Sequence, residues 1–394
     1  MENLTPHSGI LDLAIIGGGP AGTVAALEAR HHGLSVALWE RDRFPRDKVC
    51  GEFISSEALP ILQNEIPGTI AHGAEISGAQ FIIGHGASRT FGLPRPALGL
   101  SRRALDAALW KAAEAAGAEV HENEAVRSVR PPVSGSGRAG AWEIETASSS
   151  TRRAKSLIVA CGRWWAIEGL SSPAGRPGPQ RQVDWMGAKA HFDGILSRGR
   201  VEMYLFRGGY CGLAPVEDGT CNVCCLVHRQ QARHLSLKVM EDFGAWLALV
   251  SRLPALESRL RGAVQISPLV TTAPVQPARR QAVLGRALMV GDASGFLDPF
   301  TGEGISMALH SGRLAAQAVA SGLIEGFDGQ RAAENYSQSL SWAVWRSYRI
   351  AAVARGLIQG PEWLRGLATI PLPWVGRRLV RETRWRGNDE AEPG

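Results

Sequence analysis

The chain has 394 residues, of which 45% are hydrophobic and 20% charged, and its formal net charge is +6. These values are typical of a soluble globular protein that is long enough for two packed domains, or for one large core with an insertion. Because no run of about 18 apolar residues and no signal-peptide pattern occurs, we expect a cytoplasmic protein without a membrane span. The modest positive charge is no indication of nucleic-acid binding.

A strand, a glycine-rich turn and a helix are predicted at the start of the chain. Leu11–Ile16 is a nearly continuous apolar run, typical of a buried parallel strand. Gly17–Gly22 forms the turn, and Thr23–His32 is rich in helix-forming residues. A second strand, Ser35–Trp39, ends at Glu40. This order predicts a dinucleotide site, with a pyrophosphate on the helix N-terminus and a carboxylate on a ribose.

Each glycine of this turn has a predicted mechanical role. Gly17 allows the tight turn, Gly19 lets the backbone approach the pyrophosphate, and Gly22 lets the helix and the strand pack closely. Glu40 is predicted to bind the ribose hydroxyls. An ordinary strand-to-helix turn is the alternative, but the strand, the helix and the acid occur here in the required order. We therefore expect a ligand that contains an adenosine diphosphate moiety.

A basic loop follows the second strand. Arg41, Arg43 and Arg46 lie close behind the ribose acid, where they could stabilise the phosphates of a cofactor. The alternative interpretation is a solvated surface loop. A short helix is predicted from Glu57, with a serine at 55 or 56 as its cap.

The later pattern predicts an inserted sheet. Residues 75–98 and roughly 182–275 form short extended runs, typical of antiparallel strands, whereas Ser101 begins a clear helix that Gly117 ends. The sequence thus predicts an α/β fold with an inserted, mostly antiparallel sheet and a C-terminal helical segment. Further strands are predicted at 118–121, 125–129, 142–146, 156–160, 186–192, 201–206, 209–215, 221–228 and 284–292, and further helices at 238–251 and 302–323.

The six cysteines show no spacing typical of a disulfide framework, so we expect reduced thiols. Cys221, Cys224, Cys225 and His228 suggest zinc by composition alone. However, residues 219–227 are predicted to be a strand, whose alternating side chains cannot surround one ion without a sharp turn. Buried thiols are the better interpretation, and no metal site is predicted.

Three stretches together resemble a known family: the Gly17–Gly22 turn with Glu40, the segment Phe44–Glu52 (FPRDKVCGE), and Gly291–Ile305 (GDASGFLDPFTGEGI). Their order and spacing are similar to those of the FAD-dependent superfamily of aromatic hydroxylases, flavin-dependent halogenases and geranylgeranyl reductases. The resemblance runs from residue 11 to about residue 323, and the geranylgeranyl reductase-like branch is the most similar.

This resemblance implies a Rossmann-type FAD-binding domain and assigns roles to residues. Arg102 would reach the FAD, Val126 would offer backbone to the adenine, and Asp292 would bind the ribityl chain or the pyrophosphate. The residues 302–305 would bring a helix N-terminus to the flavin ring, where it stabilises an anionic reduced flavin. The predicted cofactor-binding residues are Gly17, Gly19, Pro20, Ala21, Gly22, Glu40, Arg41, Cys50, Arg102, Val126, Gly291, Asp292, Gly302, Gly304 and Ile305.

The implied domain division is discontinuous. Residues 1–70, 99–180 and 276–325 would form the FAD-binding domain, and residues 71–98 and 181–275 the substrate-binding sheet. Residues 326–394 would form a C-terminal helical segment rich in arginine and tryptophan. Packing over the substrate cavity is the favoured role of that segment, ahead of contact with a membrane or with a carrier protein.

The sequence also departs from the family pattern. Cys161 stands where many hydroxylases carry an acid, which disfavours a hydroxylase of the usual NADPH-reduced type. Trp164 and Trp165 do not have the spacing of the halogenase tryptophan motif, and no matching catalytic lysine is found. Tyr210 keeps the first residue of the reductase pattern Tyr-x-Trp-x-Phe-Pro, but smaller residues replace both inner aromatics.

Two residues are catalytic candidates. Cys50 lies in a segment that the family places near the isoalloxazine, and Tyr210 could donate a hydrogen bond to a substrate oxygen. Simple packing is the alternative for both residues. His191 and His310 are predicted to be structural.

The first hypothesis for function is a monooxygenase that acts on a hydrophobic aromatic or polyketide-like substrate with reduced flavin and O₂. The second hypothesis is a reductase of carbon–carbon double bonds in an isoprenoid-like substrate, and the third is a non-catalytic flavin sensor. No second dinucleotide motif occurs, so either NAD(P)H docks transiently or a partner flavin reductase supplies the electrons.

Overall fold

Two large β-sheets organise the computed structural model, which describes residues 9–83, 87–132, 140–163, 166–170, 185–228, 253–324, 330–341 and 343. The helices are α1 (Pro20–His31), α2 (Leu59–Glu65), α3 (Pro67–Ile70), α4 (Arg102–Ala115), α5 (Pro254–Leu260) and α6 (Gly304–Ile324). The strands are β1 (Leu11–Ile16), β2 (Val36–Glu40), β3 (Phe53–Ile54), β4 (Ala74–Ile83), β5 (Ala87–Gly99), β6 (Glu119–Glu122), β7 (Val126–Arg130), β8 (Trp142–Thr146), β9 (Thr151–Val159), β10 (Trp185–Asp193), β11 (Arg200–Phe206), β12 (Gly209–Pro215), β13 (Cys221–His228), β14 (Val264–Gln265), β15 (Val270–Thr272), β16 (Ala278–Arg279), β17 (Val283–Leu284), β18 (Ala287–Met289) and β19 (Gly295–Phe296).

The first sheet has the Rossmann-type arrangement predicted from the sequence. Its parallel core has the order β18-β9-β1-β2-β6, with β17 as an antiparallel edge and the β7–β8 pair attached to β9. Strand β1 is almost fully buried, because it lies between β2 and β9 with helices against one face of the sheet. The chain turns at the carboxyl end of β1, where sheets of this kind bind their ligands.

Helices α1 and α6 cross at very close range. A methyl group added at Gly312 would lie 2.1 Å from the carbonyl oxygen of Ala21, so only glycine allows this approach. The close contact places the middle of α6 against the start of α1, within the same apolar core.

The second sheet is the inserted, mostly antiparallel sheet. Its order is β14-β10-β13-β12-β11-β4-β5-β3, with β15 also pairing with β10, and only the β11–β4 pair is parallel. Its strands come from residues 53–54, 74–99 and 185–272. The predicted domain boundaries stay predictions, although these ranges show which parts of the chain build each sheet.

Most predicted elements agree with the structure, and a few boundaries move. Ser101 caps α4 as predicted, since its hydroxyl accepts a hydrogen bond from the backbone N–H of Ala104 at 3.1 Å. The helix predicted from Glu57 begins instead at Leu59 without a side-chain cap. The strand predicted over 284–292 ends at Met289 and gives way to a 3₁₀ turn. The helix predicted at 238–251 lies outside the described residues.

The beginning of the C-terminal segment is helical over residues 330–341. Tyr336 is fully buried, and its hydroxyl donates a 2.6 Å hydrogen bond to the carbonyl oxygen of Met289. Ala333 and Leu340 pack into the same apolar core as α1 and α6. Within the part of the chain that the structure describes, no helix combines the length and the apolar character needed to cross a bilayer.

Candidate functional site

One cavity of about 720 Å³ lies between the two sheets and contains nearly all the predicted site residues. Gly22 is the only residue of the predicted set that does not line this cavity. The predicted residues that line it are Gly17, Gly19, Pro20, Ala21, Glu40, Arg41, Cys50, Arg102, Val126, Tyr210, Gly291, Asp292, Gly302, Gly304 and Ile305.

The glycine turn forms a cradle at one end of this cavity. Gly17 has a φ of +108°, and a methyl group at Gly22 would lie 1.9 Å from the carbonyl oxygen of Gly17. Gly19 caps α1 without a side-chain hydrogen bond, so the first N–H groups of the helix lack a side-chain acceptor. A methyl group at Gly19 would meet only the Arg102 guanidinium, at 4.0 Å, and would otherwise extend into the cavity. The turn therefore fits an anionic group such as a pyrophosphate.

Glu40 lies at the end of β2 and is already hydrogen-bonded within the protein. Its carboxylate accepts hydrogen bonds from two backbone N–H groups, that of Gly18 at 2.8 Å and that of Asp42 at 3.0 Å. It also forms an ion pair with Arg46 at 2.5 Å. Burial opposes ionisation, but the Arg46 guanidinium and the two backbone N–H groups together outweigh it and lower the pKa of Glu40. Arg46 is therefore a partner of the predicted ribose acid, while Arg41 lies at the exposed rim of the cavity.

Arg102, at the first position of α4, faces the cavity beside Cys50. Its guanidinium donates two 2.7 Å hydrogen bonds to the fully buried carboxylate of Asp106, which fixes its orientation. The same guanidinium interacts with the Cys50 thiol. Burial raises the pKa of Cys50, and the nearby Arg102 opposes that shift only in part. Cys50 is therefore a neutral thiol at the cavity wall.

A second backbone turn and the start of α6 close the cavity near Asp292. Gly291 has a φ of +57° and its N–H donates a 2.9 Å bond to the Ser311 hydroxyl. Burial raises the pKa of Asp292, against the opposing effect of Arg163. Helix α6 starts at Gly304, two residues later than predicted, and its first residues line the cavity. This places a positive helix end at the cavity, as the family resemblance implies.

The second sheet and the turn at Pro299–Thr301 together form an aromatic and apolar wall of the cavity. The Phe81 and Phe300 rings stack with their centroids 5.6 Å apart, and Tyr210 meets Phe300 edge-on at 5.7 Å. Gly212 and Ala214, which replace the inner aromatics of the reductase pattern, also line the cavity. The predicted space for a hydrophobic substrate therefore faces this wall.

One buried ion cluster at the cavity was missed by the sequence analysis. Lys189 lies 2.6 Å from Glu52 and 3.0 Å from Asp47, and His191 lies 2.7 Å from Glu52. The sequence analysis predicted a structural role for His191 but did not predict its ion pair with Glu52. A signal was present, because Lys189 and His191 are two residues apart in an otherwise apolar strand and so share one face of it.

The cysteines of the second sheet occupy different faces of neighbouring strands. Cys211 and Cys225 are direct cross-strand partners with their sulfur atoms 2.8 Å apart, and both are buried free thiols. Cys224 lines the cavity, and His228 packs edge-on against Trp185 at 5.1 Å. Among the described residues, the group able to offer three metal ligands is instead Asp47, Glu52 and His191, where Lys189 supplies the positive charge.

A parallel sheet with a glycine cradle, an acid after its second strand and a cavity shared with an antiparallel sheet defines an FAD-dependent oxidoreductase. The chain belongs to the family described as "FAD binding domain", whose model matches residues 11–349. FAD is thus the cofactor, and the protein is an enzyme, which removes the sensor hypothesis.

Characterised relatives share about a quarter of their residues with this chain. "Digeranylgeranylglycerophospholipid reductase" of Methanoculleus marisnigri is 28% identical, over 87% of this chain and 83% of the relative. "Conditioned medium factor receptor 1" of Dictyostelium discoideum is also 28% identical, over 79% of this chain, which spans only 63% of that relative. The solved structure of the flavin-dependent brominase Bmp2 has a TM-score of 0.78 at 21% identity, covering 96% of this chain and 95% of that one. That likeness shows the shared fold.

Proposed function

We propose that this enzyme reduces a carbon–carbon double bond in a hydrophobic, isoprenoid-like substrate. The observation that carries the proposal is the neutral Cys50 thiol, which lines the cavity beside Arg102 and faces the space shared with the aromatic wall. Reduction of a double bond needs a proton donor at the second carbon, and a neutral thiol can donate one. The name of the Methanoculleus marisnigri relative supports the same chemistry.

Each of the cavity residues would have a separate role in the proposed reaction. The Gly17–Gly22 turn, Arg102 and Asp292 would hold FAD, which in its reduced form would supply a hydride. The aromatic wall, including Phe81 and Phe300, would align the substrate and exclude water. The Cys50 thiol would give its proton to the neighbouring carbon, and the Arg102 guanidinium would stabilise the resulting thiolate. NAD(P)H or a partner flavin reductase would then supply the electrons for the next cycle.

The test is an anaerobic single turnover. The photoreduced enzyme is mixed with a geranylgeranyl-bearing lipid without oxygen, and the product is analysed by mass spectrometry. We expect the substrate to gain two hydrogen atoms while the flavin is oxidised. A product that forms only when oxygen is admitted, and that carries one added oxygen atom, would refute double-bond reduction.

A variant pair tests the role of the thiol. Cys50→Ala should keep FAD but lose about 10²–10⁴-fold in turnover, the usual contribution of a positioned proton donor. Cys221→Ala is the matched control, because Cys221 is a buried free thiol of the second sheet that does not line the cavity. Equal activity of both variants would rule out the thiol as the acid.

Monooxygenation, the first hypothesis of the sequence analysis, remains the second candidate. Gly212 and Ala214 at the cavity wall favour it, since they leave room for a broad aromatic or polyketide-like substrate in place of a narrow chain. The anaerobic experiment decides between the two reactions, because monooxygenation requires O₂. The neutral Cys50 thiol at the cavity wall and the reductase relative support the proposal of reduction as the first candidate.

A further inference from the structure

The buried ion cluster joins the second sheet to the 47–52 loop, which carries Cys50. Lys189 comes from β10 and is fully buried, whereas its partners Asp47 and Glu52 belong to the loop. Burial opposes the charge of Lys189, but Glu52 and Asp47 together outweigh this effect and raise the pKa of the ammonium group. The cluster therefore holds a permanent cation between two carboxylates of one loop.

Glu52 is held in a backbone conformation that non-glycine residues rarely adopt. Its φ is +57°, which costs free energy and persists only where several contacts impose it. Those contacts are present, because its carboxylate accepts bonds from Lys189, His191 and the backbone N–H of Arg102 at 2.8 Å. Its carbonyl also accepts a 3.2 Å bond from Leu100.

A second strand of the same sheet holds Cys50 itself. The Asn222 side chain on β13 donates a 3.0 Å hydrogen bond to the carbonyl oxygen of Cys50. Asn222 is the direct cross-strand partner of His191, so the two attachments come from adjacent points of one sheet. Within the loop, the N–H of Glu52 donates to the Cys50 sulfur at 3.4 Å.

We propose that Lys189 is a positioning residue that acts through Glu52: from the substrate sheet it holds the 47–52 loop so that Cys50 faces the flavin. The three potential ligand atoms of Asp47, Glu52 and His191 lie within 4.8 Å of one another, and the Lys189 ammonium supplies the positive charge beside two of these residues. The inference rests on the proposed function for the place of Cys50 beside FAD, but the attachment itself can be tested separately.

The first experiment measures coupling between Lys189 and Cys50 in the holoenzyme. The visible absorption spectrum of bound FAD is recorded for Cys50→Ala, Lys189→Met and the double variant. If Lys189 acts through Cys50, Lys189→Met should reproduce the spectral change of Cys50→Ala, and the double variant should show no further change. Turnover should fall about 100-fold, the effect of displacing a catalytic group by about 1 Å. Additive changes, or a wild-type spectrum in Lys189→Met, would overturn the proposal.

Lys155→Met is the matched control for these measurements. Lys155 forms a comparable 2.7 Å ion pair with Asp12, but its side chain is exposed and does not line the cavity. Its spectrum and turnover should equal those of the wild type. Should Lys189→Met fail to fold, Lys189→Gln replaces it in the same coupling test with Cys50→Ala, and the expected and the refuting results are the same.

The second experiment needs no substrate and no flavin. Hydrogen exchange of a peptide that contains the 47–52 loop should accelerate at least tenfold in Lys189→Ala. Zn²⁺ should restore the slow exchange by binding the three vacated ligands, and His191→Ala in the same background should abolish the rescue. Unchanged exchange in Lys189→Ala, or Zn²⁺ binding that leaves the loop exchanging fast, would overturn the proposal. A wild-type flavin spectrum in Cys50→Ala would instead count against the proposed function, and this second experiment would still decide the role of Lys189.

Discussion

Replacing each of two glycines of the first turn by alanine should have different effects, on stability in one case and on FAD binding in the other. At Gly22, the added methyl group would lie 1.9 Å from the carbonyl oxygen of Gly17 and 3.1 Å from the Ala160 side chain. At Gly19, the methyl group would meet only the end of the Arg102 side chain, at the ordinary contact distance of 4.0 Å. Gly22→Ala should therefore damage the fold, whereas Gly19→Ala should damage only the binding of FAD.

The magnitudes follow from these contacts. Alanine in a helix interior stabilises by about 0.5–1 kcal/mol relative to glycine, but overpacking against rigid backbone costs about 1–3 kcal/mol. We expect Gly22→Ala to lose about 2 kcal/mol of unfolding free energy in the apoprotein. Gly19 has a φ of −76°, which alanine adopts freely, so its variant should stay within about 0.5 kcal/mol of the wild type. Its methyl group should nevertheless lower FAD affinity at least about tenfold, or about 1.4 kcal/mol.

Urea unfolding of the apoprotein and calorimetric titration with FAD measure the two effects independently. Wild-type FAD affinity in Gly19→Ala would refute the close approach of a phosphate to this backbone. Wild-type apoprotein stability in Gly22→Ala would refute the proposed packing of α1 on β1. If both variants lost stability equally in the apoprotein, the separation of a structural glycine from a binding glycine would be wrong.

Two further predictions concern buried charge. Arg102→Met should lower the unfolding free energy by about 3–5 kcal/mol, because it leaves the buried Asp106 carboxylate without its bidentate partner; the double variant Arg102→Met/Asp106→Leu should recover most of that loss in urea unfolding. Burial lowers the pKa of His310 to about 4 from its ordinary 6.5, so the unfolded chain binds its proton first as the solution is acidified. The stabilisation from neutral His310 is therefore complete above pH 6.5 and disappears as the pH falls to about 4, a change of about 3 kcal/mol. In His310→Gln, the free energy of unfolding should lack this decrease between pH 6.5 and about 4. If the wild type and the variant showed the same dependence of unfolding free energy on pH, the prediction would be wrong.

The nucleotide-binding half of the fold could be predicted from sequence because its signals are local. The apolar run of β1, the turn at Gly17 and the cap at Ser101 each depend on residues within one turn or strand. Local backbone chemistry fixes them before any tertiary contact forms. For the same reason, the strands β8, β12 and β13 have the predicted bounds.

The partners of charged side chains could not be predicted in the same way. The pairing of Arg46 with Glu40 depends on how the loop folds back over β2, whereas the sequence analysis considered only a phosphate partner or a solvated surface loop. The spacing of Lys189 and His191 indicates a shared polar face of β10, but their partners Glu52 and Asp47 lie 137 and 142 positions from Lys189, so no local pattern identifies the partners. Periodicity tells which face a side chain occupies, whereas the strand order decides what it meets there.

The buried hydroxyl of Tyr336 has a practical consequence for anyone who shortens this polypeptide. The ring fills a fully enclosed space next to β18, and its oxygen satisfies the Met289 carbonyl at the end of that strand. A version truncated before residue 330 would open a hole beneath the turn that carries Asp292 and leave that carbonyl unsatisfied. Expression trials should therefore keep at least the helical residues 330–341, because the beginning of the C-terminal segment belongs to the hydrophobic core.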